Sequence, residues 1–574
     1  MIKMYCSHCD KALEIDDKYA GQEGKCSHCQ GIIFVPKPPV KAKGYGFFRR
    51  HKILTSFLIL ILIGLLGFWS RLRGPHHGYE LDFINAPKIS EAPSSSFQVG
   101  VAMRNISPDF STFDTWVDVN ENSKYDEGID TYEDTNGNGK FDAIWMAGFS
   151  SNRPAKGIND TPWTRVIAMR NNGITIVLVT IDSVGIFSND FISVRKSVDP
   201  SLGIDHIMFS SSHTHETPDT MKIWSGPNPI FGYREEYMDM IRAQTKDAIE
   251  EAVSKLEDAD MYCATAQVPI EGFINDSRKP EVINQSMYLM RFTKPNSEET
   301  IATFANWGNH PEALGAKNGM ITSDFPHWLR EGMEFGVRDP NGLKGFGGMC
   351  LYFQGEIGGL MTQLHTTVPH RDGIQMFKKA SFAKAQALGE NLAIIAVNTL
   401  RGDSVWKNEN PRLAVAARTI TIPMEGMYKY AMMLGLIHEG YILGKGAQTE
   451  LNVIRIGEVL LLSIPGEIYP EIVEGGIEAK EARDFPIAPV EVPPLRDAME
   501  AKARMAMVIG LANDQIGYII PKSQWDVEAP FVYNGKDQYG EENSAGPEVG
   551  PIIHRESMQM LNEMNETFEQ PSSQ

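Results

Sequence analysis

Apolar and polar positions follow one repeated pattern from about residue 97 onward. Short apolar runs typical of buried strands are separated by stretches of helical periodicity. The strand-like runs are Ile174–Ile181, Ile207–Ser210, Met287–Phe292, Ile301–Trp307, Met349–Gln354, Val459–Ile464 and Met505–Leu511. Helical periodicity covers Tyr233–Leu256 and Ile374–Leu400. This interleaving predicts an α/β fold in which a mixed sheet is packed by helices.

Residues 1–36 follow a different pattern, with two C-x2-C pairs close to the N-terminus. The four cysteines are Cys6, Cys9, Cys26 and Cys29. Two close pairs of thiolates can complete a tetrahedron around Zn²⁺, so the spacing predicts a structural zinc ribbon with no open metal position. Two disulfides, or thiols without a ligand, are the alternative. Reduced thiolates would place this end of the chain in the cytosol.

A basic linker, residues 37–52, leads into an uncharged segment, Ile53–Ser70. At 1.5 Å per residue this segment reaches about 27 Å, which is enough for one transmembrane helix. Basic residues are denser before the segment than after it, so we expect a cytoplasmic N-terminus and an extracytoplasmic body. A buried core helix is the alternative. We then expect a tether at 71–96, one large domain at 97–564 and a tail at 565–574.

Charge divides the chain at the same place. The formal net charge is −19, yet residues 1–73 hold 12 Lys and Arg against 5 Asp and Glu. The acidic excess of the remaining chain argues against nucleic acid as a partner of the whole protein, because phosphate binding requires basic surface. A basic head and an acidic body are consistent with two different environments.

Two acidic, asparagine-rich segments lie within residues 114–142. Oxygen side chains at alternate positions, followed by a further acid, resemble the first part of a calcium-binding loop. The position of the final Glu in a standard loop is Trp145 in the second segment. A solvated acidic turn is the alternative. The candidate calcium ligands are Asp118, Asn120, Asn122 and Asp126 in the first segment and Asp134, Asn136, Asn138 and Asp142 in the second.

Side chains that can bind a metal follow four of the strand-like runs. In open α/β sheets, ligands bind where the loops beyond the strand ends converge. Two imidazoles and a carboxylate, with open positions left, are the usual composition of a catalytic zinc site. His213 and His215 are two residues apart, so on an extended backbone they would face the same pocket. The candidates at these strand ends are His213, His215, His310, Glu467 and Tyr518.

At these residues the chain resembles the neutral/alkaline non-lysosomal ceramidases, from about Phe97 to about Met564. No single motif is specific to this family, but the set of five motifs in this order is. The motifs are Phe97–Pro108, Ser211–His215, Asn306–Pro311 with Ser323 and Asp324, Ile464–Glu467, and Gly510–Asn513 with Tyr518.

The resemblance implies a catalytic Zn²⁺ held by His213, His310, Glu467 and Tyr518. It also implies that His215 contacts the scissile amide or the oxyanion. Arg278 lies near the position of the family's substrate-contacting arginine, although the local spacing differs.

One departure from the family affects the expected chemistry. Met361 stands where the family has a nucleophile-like serine, and Gly359 stands where it has an aspartate. A thioether can neither donate a proton nor attack a carbonyl. Water activated by a metal needs no serine, and Glu356 is then the candidate base. Because an amine is harder to expel than an alcohol, loss of the serine favours an ester or an activated amide.

The sequence therefore predicts a membrane-anchored, extracytoplasmic, zinc-dependent hydrolase of an amide or ester. The expected substrate is an N-acyl-sphingosine or a related lipid or acyl conjugate, and the expected membrane contact is the single helix. The alternative is a catalytically inactive ceramidase-like module that binds metal or senses a ligand. Nothing in the ribbon indicates its cytosolic partner.

Overall fold

The computed structural model describes residues 1–39, 52–87, 96–224, 235–337, 342–437, 440–478, 484–533 and 535–569. The chain forms two compact units, Met1–Trp69 and Ser70–Gln574. Most of the predicted linker (40–51), part of the predicted tether (88–95) and the end of the predicted tail (570–574) lie outside the described residues.

The first unit begins with two hairpins, and each C-x2-C pair lies in a hairpin turn. Ile2–Tyr5 pairs with Ala12–Ile15, and Glu23–Lys25 pairs with Ile32–Phe34. The predicted anchor lies in a helix, Lys52–Arg73. Counting only the residues that the structure describes, no helix is both long enough and apolar enough to cross a membrane. The membrane anchor stays a prediction.

The second unit contains three large sheets with one strand plan. In each, an antiparallel ladder ends at one edge in a parallel pair. The first sheet has the order His206–Ser211, Ile174–Ile181, Trp163–Asn171, Gln98–Asn105 and Glu257–Asp258. The second has Met349–Gln354, Thr300–Trp307, Ser286–Thr293, Asp260–Gln267 and Trp406–Lys407. The third has Met505–Ile509, Val459–Ser463, Gly446–Ile456, Leu413–Ile422 and Asp82–Asn85, with Tyr441–Ile442 beside Gly446–Ile456.

Helices connect the two strands of each parallel pair, because parallel neighbours need a crossover connection. Other helices cover the outer face of each sheet. The crossover helices are Ser188–Ser197, Phe325–Glu334, and the pair Pro470–Glu474 and Leu495–Glu500. The covering helices are Glu235–Ser254, Phe382–Thr399 and Val549–Glu569. A further helix is Gly426–Met433.

Short two-stranded ladders complete the second unit. These are Thr115–Val117 with Thr131–Glu133, Gly157–Ile158 with Met320–Ile321, Asn275–Asp276 with Met361–Thr362, Gly336–Val337 with Leu343–Lys344, Val368–Pro369 with Met376–Phe377, and Glu467–Ile468 with Tyr518–Ile519.

One core lies between the inner faces of the three sheets. It includes Leu178 from the first sheet, Phe304 from the second and Leu461 from the third. Strands that are buried on both faces need apolar side chains on both, which is why these strands are continuous apolar runs. Every residue of Ile174–Ile181 is buried. The prediction of an α/β fold with sheets packed by helices is confirmed.

The carboxyl ends of the three parallel edges meet through hydrogen bonds. Ser210 Oγ donates to the Gly510 carbonyl at 2.9 Å, and the Gly510 amide donates to the Gln354 carbonyl at 3.0 Å. Gln354 Nε2 donates to the Ser212 carbonyl at 2.9 Å, which returns to the first sheet. The loops that follow these strands therefore emerge at one place.

Two segments are more ordered than the sequence predicted. Within the expected tether, Asp82–Asn85 pairs with Leu413–Ile422 as an edge strand of the third sheet. Within the expected tail, the last helix continues to Glu569, and Asn565 is buried in it. Both segments are polar or mixed in composition, so contacts with distant parts of the chain, rather than a local apolar pattern, order them.

Candidate metal centre

The His-Thr-His segment leaves the first sheet through a strained turn. His213 has a φ of 65°, a left-handed conformation that residues other than glycine adopt rarely and mostly where the surrounding structure enforces it. Its amide donates to the Ser183 carbonyl at 2.9 Å. The fully buried Arg153 donates to the carbonyls of Ala147 and His215. Contacts on both sides therefore fix the turn.

Backbone carbonyls orient two of the imidazoles. Nδ1 of His213 lies 2.5 Å from the Val184 carbonyl, and Nδ1 of His310 lies 2.8 Å from the Met361 carbonyl. Because a carbonyl only accepts, Nδ1 carries the proton in each ring. The Nε2 lone pairs are left to face the interior of the site, as in many histidine ligands of metals.

Glu467 and Tyr518 reach the same point from the third sheet. The two residues are Cα partners in a short parallel ladder, so they lie side by side. Glu467 Oε2 is 3.1 Å from His310 Nε2 and 3.5 Å from His213 Nε2. The Tyr518 hydroxyl is 3.5 Å from His310 Nε2. The structure thus brings together all four residues for which the resemblance implied a metal.

The donor set fits a divalent cation. In the neutral imidazoles both Nε2 atoms are acceptors, and they face a carboxylate oxygen, which is also an acceptor. Acceptors that face one another repel unless a proton or a metal cation lies between them. Burial opposes a charged ring, but Glu467 raises the pKa of His310 above its ordinary value, so a proton can take this place when no metal is bound. The ligand atoms of His213, His215 and His310 all lie within 4.8 Å of one another. Imidazole and carboxylate are ligands of Zn²⁺ and of other divalent transition metals.

Electrostatics within the cluster favour an ionised Glu467. Burial opposes ionisation, but the facing imidazoles of His213 and His310 bring the pKa of Glu467 well below its ordinary value. Burial and the neighbouring imidazoles lower the pKa of His215 well below its ordinary value, so this ring is neutral. Burial and the Glu467 carboxylate raise the pKa of Tyr518 well above its ordinary value.

His215 has different partners from the other two imidazoles. Its Nε2 lies 3.3 Å from His213 Nε2, whereas its Nδ1 faces a carboxylate, Glu312 Oε2, at 3.4 Å. The ring packs edge-on against Phe149, with 5.1 Å between centroids. His215 therefore lies beside the His213, His310 and Glu467 cluster, on the side that borders a cavity.

This cavity has a volume of about 360 Å³ and ends at the cluster. His213, His215, Glu467 and Tyr518 form its polar end. Its other walls are mixed: apolar side chains on one part suit a hydrocarbon group of a ligand, and Gln515, Glu542, Asn543 and Ser544 line another part. The apolar walls include Phe149, Phe187, Trp224, Met424, Met432 and Ile516.

Arg278 is not placed to contact a substrate in this cavity. Its guanidinium bonds both carboxylate oxygens of Glu541 at 2.7 Å and the carbonyls of Tyr539 and Gln524. It is buried and does not line the cavity. The sequence interpretation of Arg278 as a substrate contact does not fit, because these partners occupy its terminal nitrogens.

Glu356 likewise lies outside the cavity. Its carboxylate pairs with Arg496 at 3.1 Å and accepts from Asn284 at 3.2 Å. Burial raises the pKa of Glu356 to about 7. A perturbed carboxyl alone does not make a base, since a base must reach the proton that it removes. The sequence hypothesis that Glu356 is the base finds no support in this placement.

Met361 and Thr362 occupy the segment where the family serine is missing. The Met361 carbonyl accepts from both the amide and Nδ1 of His310, while its side chain is buried in the core of the second sheet. The Thr362 hydroxyl donates to Glu312 rather than facing the cavity. The segment contributes a carbonyl that orients a histidine, and no hydroxyl at the cavity.

The two acidic segments form loops with the same hydrogen bonds. The backbone amide of Asn122 donates to Asp118 Oδ1 at 3.1 Å, and the backbone amide of Asn138 donates to Asp134 Oδ1 at 3.1 Å. In the first loop Asn120 Nδ2 donates to Asp126 Oδ2 at 2.8 Å, and in the second loop Asn136 Nδ2 donates to Asp142 Oδ2 at 2.8 Å. The repeated geometry agrees with repeated oxygen positions in the sequence, and calcium binding stays a prediction.

The four N-terminal cysteines also lie together. Cys6 Sγ is 3.7 Å from Cys29 Sγ, and Cys9 Sγ is 3.9 Å from Cys26 Sγ. These distances are well beyond a disulfide bond of about 2.05 Å. Backbone N–H groups of Cys29 and His28 lower the pKa of Cys26 to about 6, which favours the thiolate. The cluster could hold a metal ion.

Sequence reasoning missed the residues that support the cluster. Gln515 Nε2 donates to Glu467 Oε1 at 2.8 Å and so turns Oε2 toward the imidazoles. Glu312 approaches His215, and Thr362 binds Glu312. The signal available in the sequence was closeness to a predicted ligand along the chain. Glu312 is two residues from His310, and Gln515 is three residues from Tyr518.

Two solved structures resemble the fold of this chain. A crystal structure of neutral ceramidase from Pseudomonas aeruginosa has a TM-score of 0.58 at 14% sequence identity, covering 83% of this chain and 76% of that chain. A structure described as ceramidase complexed with C2 has a TM-score of 0.56 at 14% identity, covering 81% and 75%. No protein-family model and no curated protein sequence matches this chain. The chain has a ceramidase-like fold.

Proposed function

We propose that this protein is a zinc-dependent hydrolase of an amide or ester in a lipid or acyl conjugate, with N-acyl-sphingosine as the first candidate. One observation carries the proposal: a cavity with a partly apolar lining ends at a cluster of imidazole, carboxylate and phenol groups. The apolar walls suit an acyl chain, and the polar end suits the carbonyl group attached to it. The ceramidase-like fold agrees with this substrate class.

His213, His310, Glu467 and Tyr518 would hold the metal. When bound there, zinc would polarise the scissile carbonyl and lower the pKa of water. Gln515 holds Glu467 in place, and the carbonyls of Val184 and Met361 hold the two imidazoles. His215 borders the cavity beside these ligands, where it would contact the scissile group.

A second candidate function follows from Met361. A chain without the serine could retain the fold and the metal as a binding or sensor module. The two functions differ in turnover and not in metal content, so both quantities must be measured on the same preparation.

The test uses the full chain purified in detergent. We expect about two zinc ions per chain, one in each cluster, and hydrolysis of an N-acyl-sphingosine or of the matching O-acyl ester. His310→Ala should remove one zinc and reduce turnover by at least about 10³-fold, since it deletes a ligand. His365→Ala, at an exposed histidine, is the matched control. Two zinc ions without turnover of either substrate would favour the sensor module.

A membrane topology belongs to the same proposal. Side chains along residues 56–70 of the helix Lys52–Arg73 are exposed and mostly apolar, which supports a role as anchor. The ribbon would lie in the cytoplasm and the hydrolase outside it. Protease added to intact cells should degrade a C-terminal tag and spare an N-terminal one; the opposite result would reverse the topology.

A further inference from the structure

The negative charge that lines the cavity is not balanced by a basic side chain. Two carboxylates line it, Glu467 in the histidine cluster and Glu542, which is exposed and so lies at the mouth. Among the described residues that line the cavity, none is Lys or Arg. Within the same part of the chain, Glu542 has no basic side chain as an ion-pair partner. Its carboxylate is therefore available to a cation that enters the cavity.

Two phenol rings lie beside Glu542 and also line the cavity, those of Tyr428 and Tyr539. Asn543 joins them, since the Tyr428 hydroxyl donates to Asn543 Oδ1 at 3.3 Å and Asn543 Nδ2 donates to the Tyr539 hydroxyl at 3.1 Å. The charge of Glu542 reaches these groups: burial raises the pKa of Tyr428 above its ordinary value, and the Glu542 carboxylate raises it further. A carboxylate and two aromatic rings thus form one surface at the cavity mouth.

The segment that carries Tyr539 and Glu542 is held in place from below. Arg278 donates to the Tyr539 carbonyl at 2.8 Å and binds both carboxylate oxygens of Glu541 at 2.7 Å. On the other side of Glu542, the Ser544 hydroxyl donates to the Tyr518 carbonyl at 2.7 Å. Because the backbone is fixed on both sides, little entropy is lost when a ligand binds to this surface.

We propose that Glu542, Tyr428 and Tyr539 form a binding site for an ammonium group on the part of the substrate that leaves. Aromatic faces attract ammonium groups through the ring quadrupole, and a carboxylate adds an ion pair. The Tyr539 ring lies 5.8 Å from the Tyr518 ring, between centroids, so the ammonium site is one ring away from the histidine cluster.

This site defines a substrate class, a fatty acyl amide or ester whose amine or alcohol part carries a cationic nitrogen. The acyl chain would lie along the apolar walls, and the cation would lie at the mouth. An uncharged N-acyl-sphingosine would use the apolar walls and leave the ammonium site empty. The substrate class rests on the proposed hydrolase function, whereas the ammonium site does not.

The first test measures binding to the full chain, purified in a nonionic detergent. The probe is octyltrimethylammonium, because its nitrogen has no lone pair and cannot bind a metal. Glu542→Gln should weaken its affinity by about 3- to 10-fold, with the affinity for octan-1-ol as the uncharged reference. Glu528→Gln, at an exposed carboxylate that does not line the cavity, is the matched control. Equal affinities in the wild-type protein and Glu542→Gln would overturn the proposal.

The second test separates the ring from its hydroxyl at Tyr428. Tyr428→Phe keeps the aromatic face and should keep the affinity for octyltrimethylammonium within about 2-fold of wild type. Tyr428→Leu removes the face and should weaken binding by about 3- to 5-fold. The same loss in both variants would show that the ring does not bind the cation.

The third test is kinetic and concerns the substrate class. N-dodecanoyl-putrescine carries a free ammonium group, and its analogue with a hydroxyl in place of that ammonium is the neutral reference. The ratio of their kcat/KM values should favour the ammonium substrate and fall by about 3- to 10-fold in Glu542→Gln. A ratio that does not change would exclude this substrate class. If neither compound is hydrolysed while octyltrimethylammonium binding depends on Glu542, the proposed function fails and the ammonium site stands.

Discussion

The N-terminal cysteine cluster, the predicted ribbon, and the histidine cluster bring together side chains that could bind a metal in opposite ways. In the ribbon, four thiols come from two hairpin turns, and Cys9 and Cys26 are 17 residues apart. In the larger unit, His310 and Glu467 are 157 residues apart and belong to different sheets. The ribbon core is small, with Leu13 and Ile33 among its few buried residues. The histidine cluster rests on a core shared by three sheets.

We therefore expect a metal to stabilise the fold of residues 1–36, whereas in the larger unit we expect the fold to position the metal ligands. A segment with so small a core depends on its metal for stability, and four thiolates leave no position for a substrate. A large core can hold ligands at strand ends and still leave one side of a metal open to a cavity. The predictions below test that distinction, beginning with the largest expected effect.

Cys26→Ser should remove one zinc per chain and unfold residues 1–36, because structural zinc contributes about 10–16 kcal/mol of apparent binding free energy in small domains. Turnover and the stability of the larger unit should not change. Zinc analysis and limited proteolysis of the ribbon measure the effect. His28→Ala, at an exposed residue in the same turn, should behave as wild type. A ribbon that resists protease after Cys26→Ser would contradict the comparison.

The free energy of unfolding of the larger unit should depend on pH rather than on the presence of a chelator. Arg195 binds both oxygens of Glu450, at 2.6 and 2.9 Å, and so links the first crossover helix to the third sheet. Burial opposes ionisation, but Arg195 lowers the pKa of Glu450 to about 2. The folded-state pKa is below the unfolded value of about 4.3. The stabilisation is therefore complete above about pH 4.3 and is lost as the pH falls toward about 2.

Glu450→Gln should lower the free energy of unfolding at neutral pH by about 3–5 kcal/mol, because it leaves Arg195 as a buried unpaired charge. It should also reduce the decrease in the free energy of unfolding that the wild-type protein shows as the pH falls toward about 2. Denaturant unfolding between pH 2 and 7 measures both effects. Glu298→Gln removes the partner of Arg291 at the surface, where exposed ion pairs contribute little. Equal losses in the two variants would show that burial is not the cause.

Gln515→Leu should weaken zinc binding at the histidine cluster by about 10- to 100-fold, because Glu467 loses the group that orients it. Competition with a chelator of known affinity measures this change. The ribbon zinc is the internal reference and should be released as in wild type. Gln559→Leu, at an exposed position, is the control. Equal release from both clusters would contradict a specific role for Gln515.

The smallest effect concerns the two acidic loops. For each loop that binds calcium, the ion at ten times its Kd should stabilise the larger unit by about 1.4 kcal/mol. Asp118→Ala with Asp134→Ala should abolish this increment, since each aspartate begins one loop. Thermal unfolding with and without calcium gives the measurement. An unchanged melting temperature in the wild-type protein would leave the loops as solvated turns.

The sequence by itself determined the most apolar strands, the fold class and most of the donors of the histidine cluster. Ile174–Ile181 and Met349–Gln354 form strands at the predicted bounds, because strands buried on both faces must be continuous apolar runs. Strands with a mixed pattern were missed, among them the edge strand Asp82–Asn85 and its neighbours in the third sheet, Leu413–Ile422 and Gly446–Ile456. The positions of His213, His310 and Glu467 beyond strand ends were equally local information.

Only the tertiary structure decided which polar groups support that cluster and which do not. Arg278 and Glu356 lie in plausible motifs but bind Glu541 and Arg496 instead of facing the cavity. Glu312 and Gln515 carried no distinct signal, yet they contact His215 and Glu467. The physical reason is that periodicity records burial, which is a property of each residue, whereas a polar partner is chosen by contacts between residues far apart in sequence.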